Sequence, residues 1–190
     1  MVRRRLKKQI RRNVFETNSS SVHAICMSNL ASFEEQTAPS LDSLKGGVLI
    51  FQHGEYGWEF ETRNTTLERA SYLYEALFDV FSKDDLLKAE EHISAALEKY
   101  NIKCEFEEDN AGCWTDGEVI YKCSDGYVDH GGELKEFVFK LLTDDEMLIK
   151  YLFGDTLIIT GNDNDEGVDY MYEKVESFQK DRYEVFLKGN

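Results

Sequence analysis

An α+β fold is what this 190-residue sequence predicts: a single compact domain with a mixed or antiparallel sheet packed against helices, an αα-hairpin among them. Three observations carry that expectation. Short apolar runs, Val22–Met27, Val48–Phe51 and Thr156–Thr160, are bounded by Gly, Ser, Asn or Asp, as strands are. Between residues 65 and 100 apolar side chains recur three and four positions apart, as on helices. Apolar residues make up 42% of the chain, with twelve Phe, ten Tyr and two Trp, enough for one real core and too aromatic for disorder.

Residues 1–12 read as a separate basic head, a tail or short helix, and residues 13–190 as one acidic domain. The polar run Thr17–Ser21 is a turn whose short side chains bond their own backbone, and it leads into the strand Val22–Met27. Ser28 to Gly47 is Ser-rich, holds the only proline, Pro39, and reads as a surface loop. Gly46-Gly47 breaks the chain before a buried strand, Val48–Phe51. Residues 52–61 read as loop then strand, with Tyr56, Trp58 and Phe60 alternating.

Thr65 or Thr66 caps a helix whose inward face is Leu67, Ala70, Leu73, Tyr74, Leu77, Phe78 and Phe81. Ser82, with Asp85 three positions on, caps the next, with the stripe Leu86, Leu87, Ile93, Leu97 and Tyr100. This pair is the expected αα-hairpin. Lys103–Glu107 alternates as a strand, 108–117 is a loop, Glu118–Lys122 a strand, and 124–132 a glycine-punctuated loop. Glu133–Thr143 and Asp144–Phe153 are two short helices, the first with Leu134, Phe137, Val138, Leu141 and Leu142 inward. The buried strand Thr156–Thr160 runs into the loop 161–167, 170–178 is helical, and Arg182–Lys188 is an amphipathic strand or helix. The connection lengths also permit some parallel pairing.

Charge points to the class of partner. The formal net charge is −15, but residues 1–12 carry seven basic groups and no acid. The remainder sets fifteen basic groups against thirty-seven acidic ones, a net of −22. Such a field disfavours direct nucleic-acid binding by the body and favours a basic protein partner, or a surface that resembles a phosphate backbone. Glu105, Glu107, Glu108, Asp109, Asp165 and Glu166 are the acids expected to face that partner. The basic head is followed by no apolar run, unlike a signal peptide, and no stretch reaches the ~18 apolar residues of a membrane span. With no secretion signal, Cys26, Cys104, Cys113 and Cys123 read as reduced thiols, and the expected compartment is the cytoplasm.

Three of the four histidines, His23, His53 and His130, lie at strand ends or in polar turns, whereas His92 sits in a helix without notable polar neighbours. Asp129 directly precedes His130, and a turn brings such a pair together as metal ligand and base. Catalytic candidates for an enzyme are therefore His23, Asp129, His130 and Glu59. Asn18, Ser19, Ser20 and Ser21 offer hydroxyls and amides to one point, Trp58 walls a pocket and Asn162 ends a strand; these are binding candidates. Asp163 and His130 are the candidate ligands of a divalent metal, the one cofactor the sequence suggests. An EF-hand does not fit, because the sixth position from Asp163 is Val168. Cys104, Cys113, Cys123 and His130 are spaced nine, ten and seven apart with no C-x-x-C, which argues against structural zinc. Neither a G-x-S-x-G elbow nor a Walker lysine is present, so a serine nucleophile finds no support. Each of these groups has an ordinary counterpart: a bonded turn, a core aromatic, or a buried polar network that specifies a fold without chemistry.

The run Arg12-Asn13-Val14-Phe15-Glu16-Thr17-Asn18-Ser19-Ser20-Ser21-Val22-His23 resembles the opening of a family of small phage and Firmicutes proteins with an F-E-T-N-S-S-S-x-H motif. Gly57-Trp58-Glu59, Asp129-His130 and Thr160-Gly161-Asn162-Asp163-Asn164 are similar to its later signatures, so the resemblance spans most of the chain in four islands. After Asp129-His130 the family continues with a glutamine and a serine, where Gly131-Gly132 stand here. The resemblance implies a shared centre of His23, Glu59, Asp129, His130, Asn162 and Asp163, and no particular reaction. By analogy of size, charge and origin, small acidic phage inhibitors of host defence, some of which mimic DNA before a CRISPR nuclease, suggest the first function. The chain is expected to be a phage-type accessory protein, working in the host cytoplasm, that binds and inhibits a host nuclease through its acidic surface. The alternative is a metal-assisted hydrolase or nucleotide-processing enzyme built on the His, Asp and Asn of the strand-end loops.

Overall fold

A strand buried along its whole length organises the molecule. In chain order the elements are β1 (Ser21–Ser28), α1 (Phe33–Leu44), β2 (Val48–Phe51), β3 (Glu55–Tyr56), β4 (Glu61–Arg63), α2 (Thr66–Val80), α3 (Lys83–Glu98), β5 (Lys103–Phe106), β6 (Cys113–Asp116), β7 (Val119–Lys122), β8 (Tyr127–Val128), a 3₁₀ turn (Gly131–Leu134), α4 (Lys135–Thr143), α5 (Asp145–Phe153), β9 (Thr156–Asn162), α6 (Val168–Lys180) and β10 (Tyr183–Lys188). They come from a computed structural model that describes residues 21–57, 59–108, 111–162, 168–180 and 182–188.

The main sheet is antiparallel, in the order β10-β1-β9-β4. Both faces of β1 are covered. Val22, Ala24 and Cys26, with Ile159, pack against Met171 and Val175 of α6. Ile25 and Met27, with Ile158, join the larger core built with α2, α4 and α5. Coverage on both sides explains why this strand is a nearly unbroken apolar run. Smaller pairs complete a single compact α+β domain: β2 with β5 and β3 with β8, both parallel, and the antiparallel hairpin β6–β7.

Helix α2 begins at Thr65, which forms a capping box with Glu68, and residues 69–78 are all buried. Neighbours on every side therefore replace the single inward face that its periodicity predicts. Leu67 lies outside this collar and is 45% exposed, and Leu87 of α3 is likewise exposed. Helix α3 is capped by Ser82, whose hydroxyl accepts from the Asp85 N–H.

Several elements differ from expectation. The stretch read as a loop from Ser28 to Gly47 contains α1, started by a Ser32–Glu35 capping box, with Phe33, Leu41 and Leu44 on the core. Pro39 lies inside this helix and removes one backbone bond, a loss the cap and the core contacts outweigh. Strand β2 is half-buried rather than buried: Leu49 and Phe51 point inward, Val48 and Ile50 outward. Among its described residues the region 52–61 yields β3 and the start of β4 rather than one alternating strand. The expected loop 108–117 holds β6, whose hairpin with β7 leaves residues 111–120 exposed. Helix α4 is preceded by the 3₁₀ turn. His92 does have a polar neighbour, with Nε2 3.2 Å from Asp145 Oδ1. Among the described residues no helix is long and apolar enough to cross a membrane.

Candidate functional site

The turn Asp129–Gly131 is where the sequence islands meet. β8 runs parallel to β3, and beyond it the Asp129 N–H donates to the Tyr56 carbonyl at 2.8 Å, which sets Asp129 beside Gly57. A Cβ on Gly57 would lie 2.8 Å from Asp129 Cβ and 3.0 Å from His23 Nε2. At the start of β1 the Ser21 hydroxyl donates to the Asp129 carbonyl at 3.4 Å. The β1–β9 register then brings in the fourth island: Asn162 lies opposite Ser21 and Thr160 opposite His23. Thr160 Oγ1 donates to the Glu59 carbonyl at 3.3 Å and accepts from Arg63 Nη1 at 3.3 Å. Ser21, His23, Gly57, Glu59, Asp129 and Asn162 thus gather at one end of the main sheet.

The gathered groups are largely sealed. His23 and Thr160 have no solvent exposure, and His23 Nδ1 shares a hydrogen bond with Tyr72 Oη at 2.9 Å. Burial pushes the Tyr72 phenol far above its ordinary range, so it keeps its proton. His23 is held as a wall of the core rather than presented to a substrate. Glu59 is exposed, and its carbonyl rather than its carboxylate is what Thr160 binds.

His53 belongs to a second network. Its Nδ1 lies 2.8 Å from Glu75 Oε1 and 3.0 Å from Ser124 Oγ. The Ser124 hydroxyl also donates to Glu75 Oε2, and the Gly54 N–H donates to Glu75 Oε1 at 2.9 Å. The Glu75 side chain is fully buried, so one carboxylate clamps the loop 52–54 to the loop 124–126. Ser124 and the acid meet the same imidazole nitrogen, which is not the relay geometry of a serine nucleophile.

His130 alone of the junction imidazoles faces solvent, its side chain 45% exposed. It adopts a left-handed backbone, φ 54°, and its Nε2 lies 3.7 Å from Asp129 Oδ1. The three junction imidazoles therefore do not share one pocket: His23 on β1, His53 in the loop before β3 and His130 just before the 3₁₀ turn lie in separate surroundings. Asp79, one helical turn beyond Glu75, stands where a Gly131 side chain would be, so only glycine fits there. Asp79 keeps solvent contact on one side. Burial on the other, then the carboxylates of Glu75 and Asp129, push its pKa up to about 6 against the opposing charge of His130.

Beside this turn is a cleft of about 330 Å³ between α2, β7 and the loop 123–127. Asp79 and Glu75 form its acidic side; Phe78, Trp114, Tyr121 and Tyr127 form its aromatic side. Glu75, Asp79, Tyr72, Ser124 and this aromatic wall were not legible as site residues. The one signal was a pair of carboxylates four apart in the mostly apolar second half of the helix.

Of the remaining candidates, Glu105, Glu107 and Glu108 are exposed on and after β5, and Glu107 Oε2 also accepts the His53 N–H at 2.8 Å. Burial raises the thiols of Cys26 and Cys104 to about 11, which keeps them protonated. Among the described residues no group of three or more His, Cys, Asp or Glu is placed to hold a metal ion. The basic head, Asn18, Ser19, Ser20, Trp58, Asp109, Asp163, Asp165 and Glu166 lie outside the described residues.

Gly57 has φ +123° and no room for a methyl group. Gly57→Ala is expected to destabilise the fold by about 2–3 kcal/mol through backbone strain and displacement of His23 and Asp129. Thermal unfolding followed by circular dichroism checks this, and an unchanged midpoint would contradict the tight junction. No protein-family model, curated protein or solved structure matches the chain.

Proposed function

We propose that this chain is a phage-type accessory protein that binds and inhibits a host defence nuclease, in the manner of an anti-CRISPR, through its acidic surface in the host cytoplasm. The observation that carries the reading is the charge: beyond residue 12 the chain holds 37 acids against 15 basic groups. A surface of that sign attracts the basic cleft of a nuclease and competes with its nucleic acid. The geometry is compatible, since His23 and His53 are spent on internal partners while Glu105, Glu107 and Glu108 face outward. The resemblance of the opening motif to phage proteins points the same way.

The test is titration of the purified protein into DNA-cleavage reactions of purified CRISPR and restriction-type nucleases. Inhibition is expected with at least one, relieved by excess DNA, and weaker by roughly tenfold or more between 50 and 300 mM salt. Inhibition indifferent to both salt and DNA would overturn the acidic-surface mechanism, and no inhibition of any would overturn the reading.

A second reading, an enzyme with its acid–base centre at the 129–131 turn, is favoured by the convergence of the four islands. There Asp79, with its pKa near 6, would serve as proton donor and Asp129 or His130 as acceptor. A divalent metal at His130 and Asp163 belongs to that reading. Turnover of a nucleotide or phosphoester that is lost in both Asp79→Asn and His130→Ala would replace the inhibitor.

A further inference from the structure

We infer that the cleft between α2, β7 and the loop 123–127 is a receptor for an arginine side chain on the basic partner, its guanidinium stacking on the aromatic wall and pairing with Asp79. The inference rests on the binding reading above and names the chemistry that reading would use at one place.

The wall is flat and partly open. Trp114 and Tyr121 face each other across the β6–β7 hairpin with ring centres 4.5 Å apart and planes within 14°. Trp114 is still 52% exposed, a large aromatic surface left to solvent on a protruding hairpin. Such rings are the commonest anchors of protein interfaces. A planar guanidinium stacks on them and keeps its edge donors for a carboxylate, which an ammonium cannot do as well. The fold already uses this pairing elsewhere, where the Arg63 guanidinium lies 4.5 Å above the Tyr56 ring.

The acidic side is built from two carboxylates, Glu75 and Asp79. Glu75 is committed to three internal donors, so its negative charge acts on the cleft without being available as a direct ligand. Asp79 is the accessible carboxylate. The charged groups around it are Glu75 on its own helix and Asp129 and His130 on the adjoining turn; Lys122 on β7 and Tyr127 line the same cleft, and Glu133 lies beyond His130. Lys122 reaches this space from the chain itself, its ammonium 5.8 Å from the Phe78 ring centre, with Glu90 as a further acidic neighbour. The cleft therefore already accommodates a cation, and an incoming arginine competes with Lys122. A phosphate-bearing ligand would meet the carboxylates of Asp79 and Glu75 and be repelled.

The test uses the whole protein and Nα-acetyl-arginine amide, followed by NMR at the Trp114 indole N–H, which is assigned by its loss in Trp114→Phe. A dissociation constant on the order of millimolar is expected at pH 7.5, as befits one small contact. Nα-acetyl-citrulline amide, of the same shape but neutral, is expected to bind at least tenfold more weakly. Binding of the arginine probe should weaken roughly tenfold between pH 7.5 and pH 5 as Asp79 takes up a proton. Asp79→Asn should weaken binding and remove most of that pH step, while Lys122→Met should tighten it.

Misfolding cannot imitate this result, because Asp79→Asn is expected to stabilise. A carboxyl whose folded pKa is raised costs stability above that pKa and none below its unfolded value, so stability falls as pH rises from about 4 to 6. Discounted for solvent contact, removing that cost should raise the melting temperature by about 2–4 °C at pH 7.5 and leave it unchanged at pH 3.5. Equal binding of citrulline and arginine, a silent Trp114 resonance, or a full pH step in Asp79→Asn would overturn the assignment. Nuclease inhibition that persists when the arginine probe fails would leave the acidic-surface reading standing without this cleft. A probe that binds while no nuclease is inhibited would do the reverse.

Discussion

Glu75→Ala is expected to lower the melting temperature by roughly 6–20 °C, corresponding to a loss of about 3–5 kcal/mol. The Glu75 carboxylate is fully buried in the middle of α2 and receives three donors: the Gly54 N–H at 2.9 Å, His53 Nδ1 at 2.8 Å and the Ser124 hydroxyl. Alanine removes the acceptor and leaves all three donors in place. His53 cannot turn to water easily, because its ring is packed against Tyr74 and Phe78 at 5.2 and 5.5 Å between centres. The Gly54 N–H is left without a partner at a cost of about 1–3 kcal/mol, His53 and Ser124 keep only each other, and the missing side chain adds a void. Gly126 shows how closely the acid is held, since any side chain there would collide with Glu75 Oε1 and the Gly54 carbonyl. Ser124→Ala, which leaves the carboxylate with two donors and the Gly126 N–H without its acceptor, should cost less, about 1–2 kcal/mol. Thermal unfolding by circular dichroism of both variants decides the matter. A Glu75→Ala midpoint within about 2 °C of the parent would mean that the loops 52–54 and 124–126 are held by something else.

The contrast between Glu75 and the helix caps shows what sequence reading reaches. Ser82 with Asp85, and Thr65 with Glu68, act within one turn, so their pattern is complete in a few neighbouring letters. Ser32 with Glu35 carries the same pattern, but the serines around it and Pro39 seven residues into the helix mask it. Strand pairing is different in kind. Nothing within Val48–Phe51 names Lys103–Phe106 as its parallel partner, and nothing in Tyr127-Val128 names Glu55-Tyr56. Yet that second pairing, together with the β1–β9 register, sets Gly57, Asp129 and Ser21 side by side. The islands were legible as unusual residues and the resemblance implied a shared centre, but the strand pairings that bring them side by side were not legible. Glu75 was invisible for a related reason: in a helix taken as one-sided, a carboxylate off the apolar stripe reads as solvated. Only when β2, β8, α4 and α5 close around α2 does that position become interior.

Arg69 lies on the same buried helix, and Arg69→Lys is expected to lose nearly as much stability as Arg69→Ala, about 2–4 kcal/mol against about 3–5 kcal/mol. Its side chain reaches the end of α5, where the last carbonyls of a helix have no partners within the helix. Nη1 donates to the carbonyls of Tyr151, Leu152 and Gly154 at 3.3, 2.9 and 2.7 Å, and Nη2 donates to the Asn64 carbonyl. In return the Tyr151 hydroxyl donates to the Arg69 carbonyl at 2.8 Å, so α2 and α5 are tied in both directions. Burial pulls the guanidinium pKa below its usual value, opposed by Tyr151, Asp155 and Glu68, and at neutral pH the group stays charged. That charge faces the negative end of the α5 dipole, which offsets part of its desolvation. A lysine carries the same charge on a single nitrogen and cannot span Asn64 on one side and three carbonyls on the other. Charge alone would predict tolerance of lysine; fork geometry predicts the loss. Urea unfolding at 25 °C separates the two, with a midpoint lowered by roughly 1–3 M in Arg69→Lys if the fork matters, and within about 0.3 M of the parent if only the charge does.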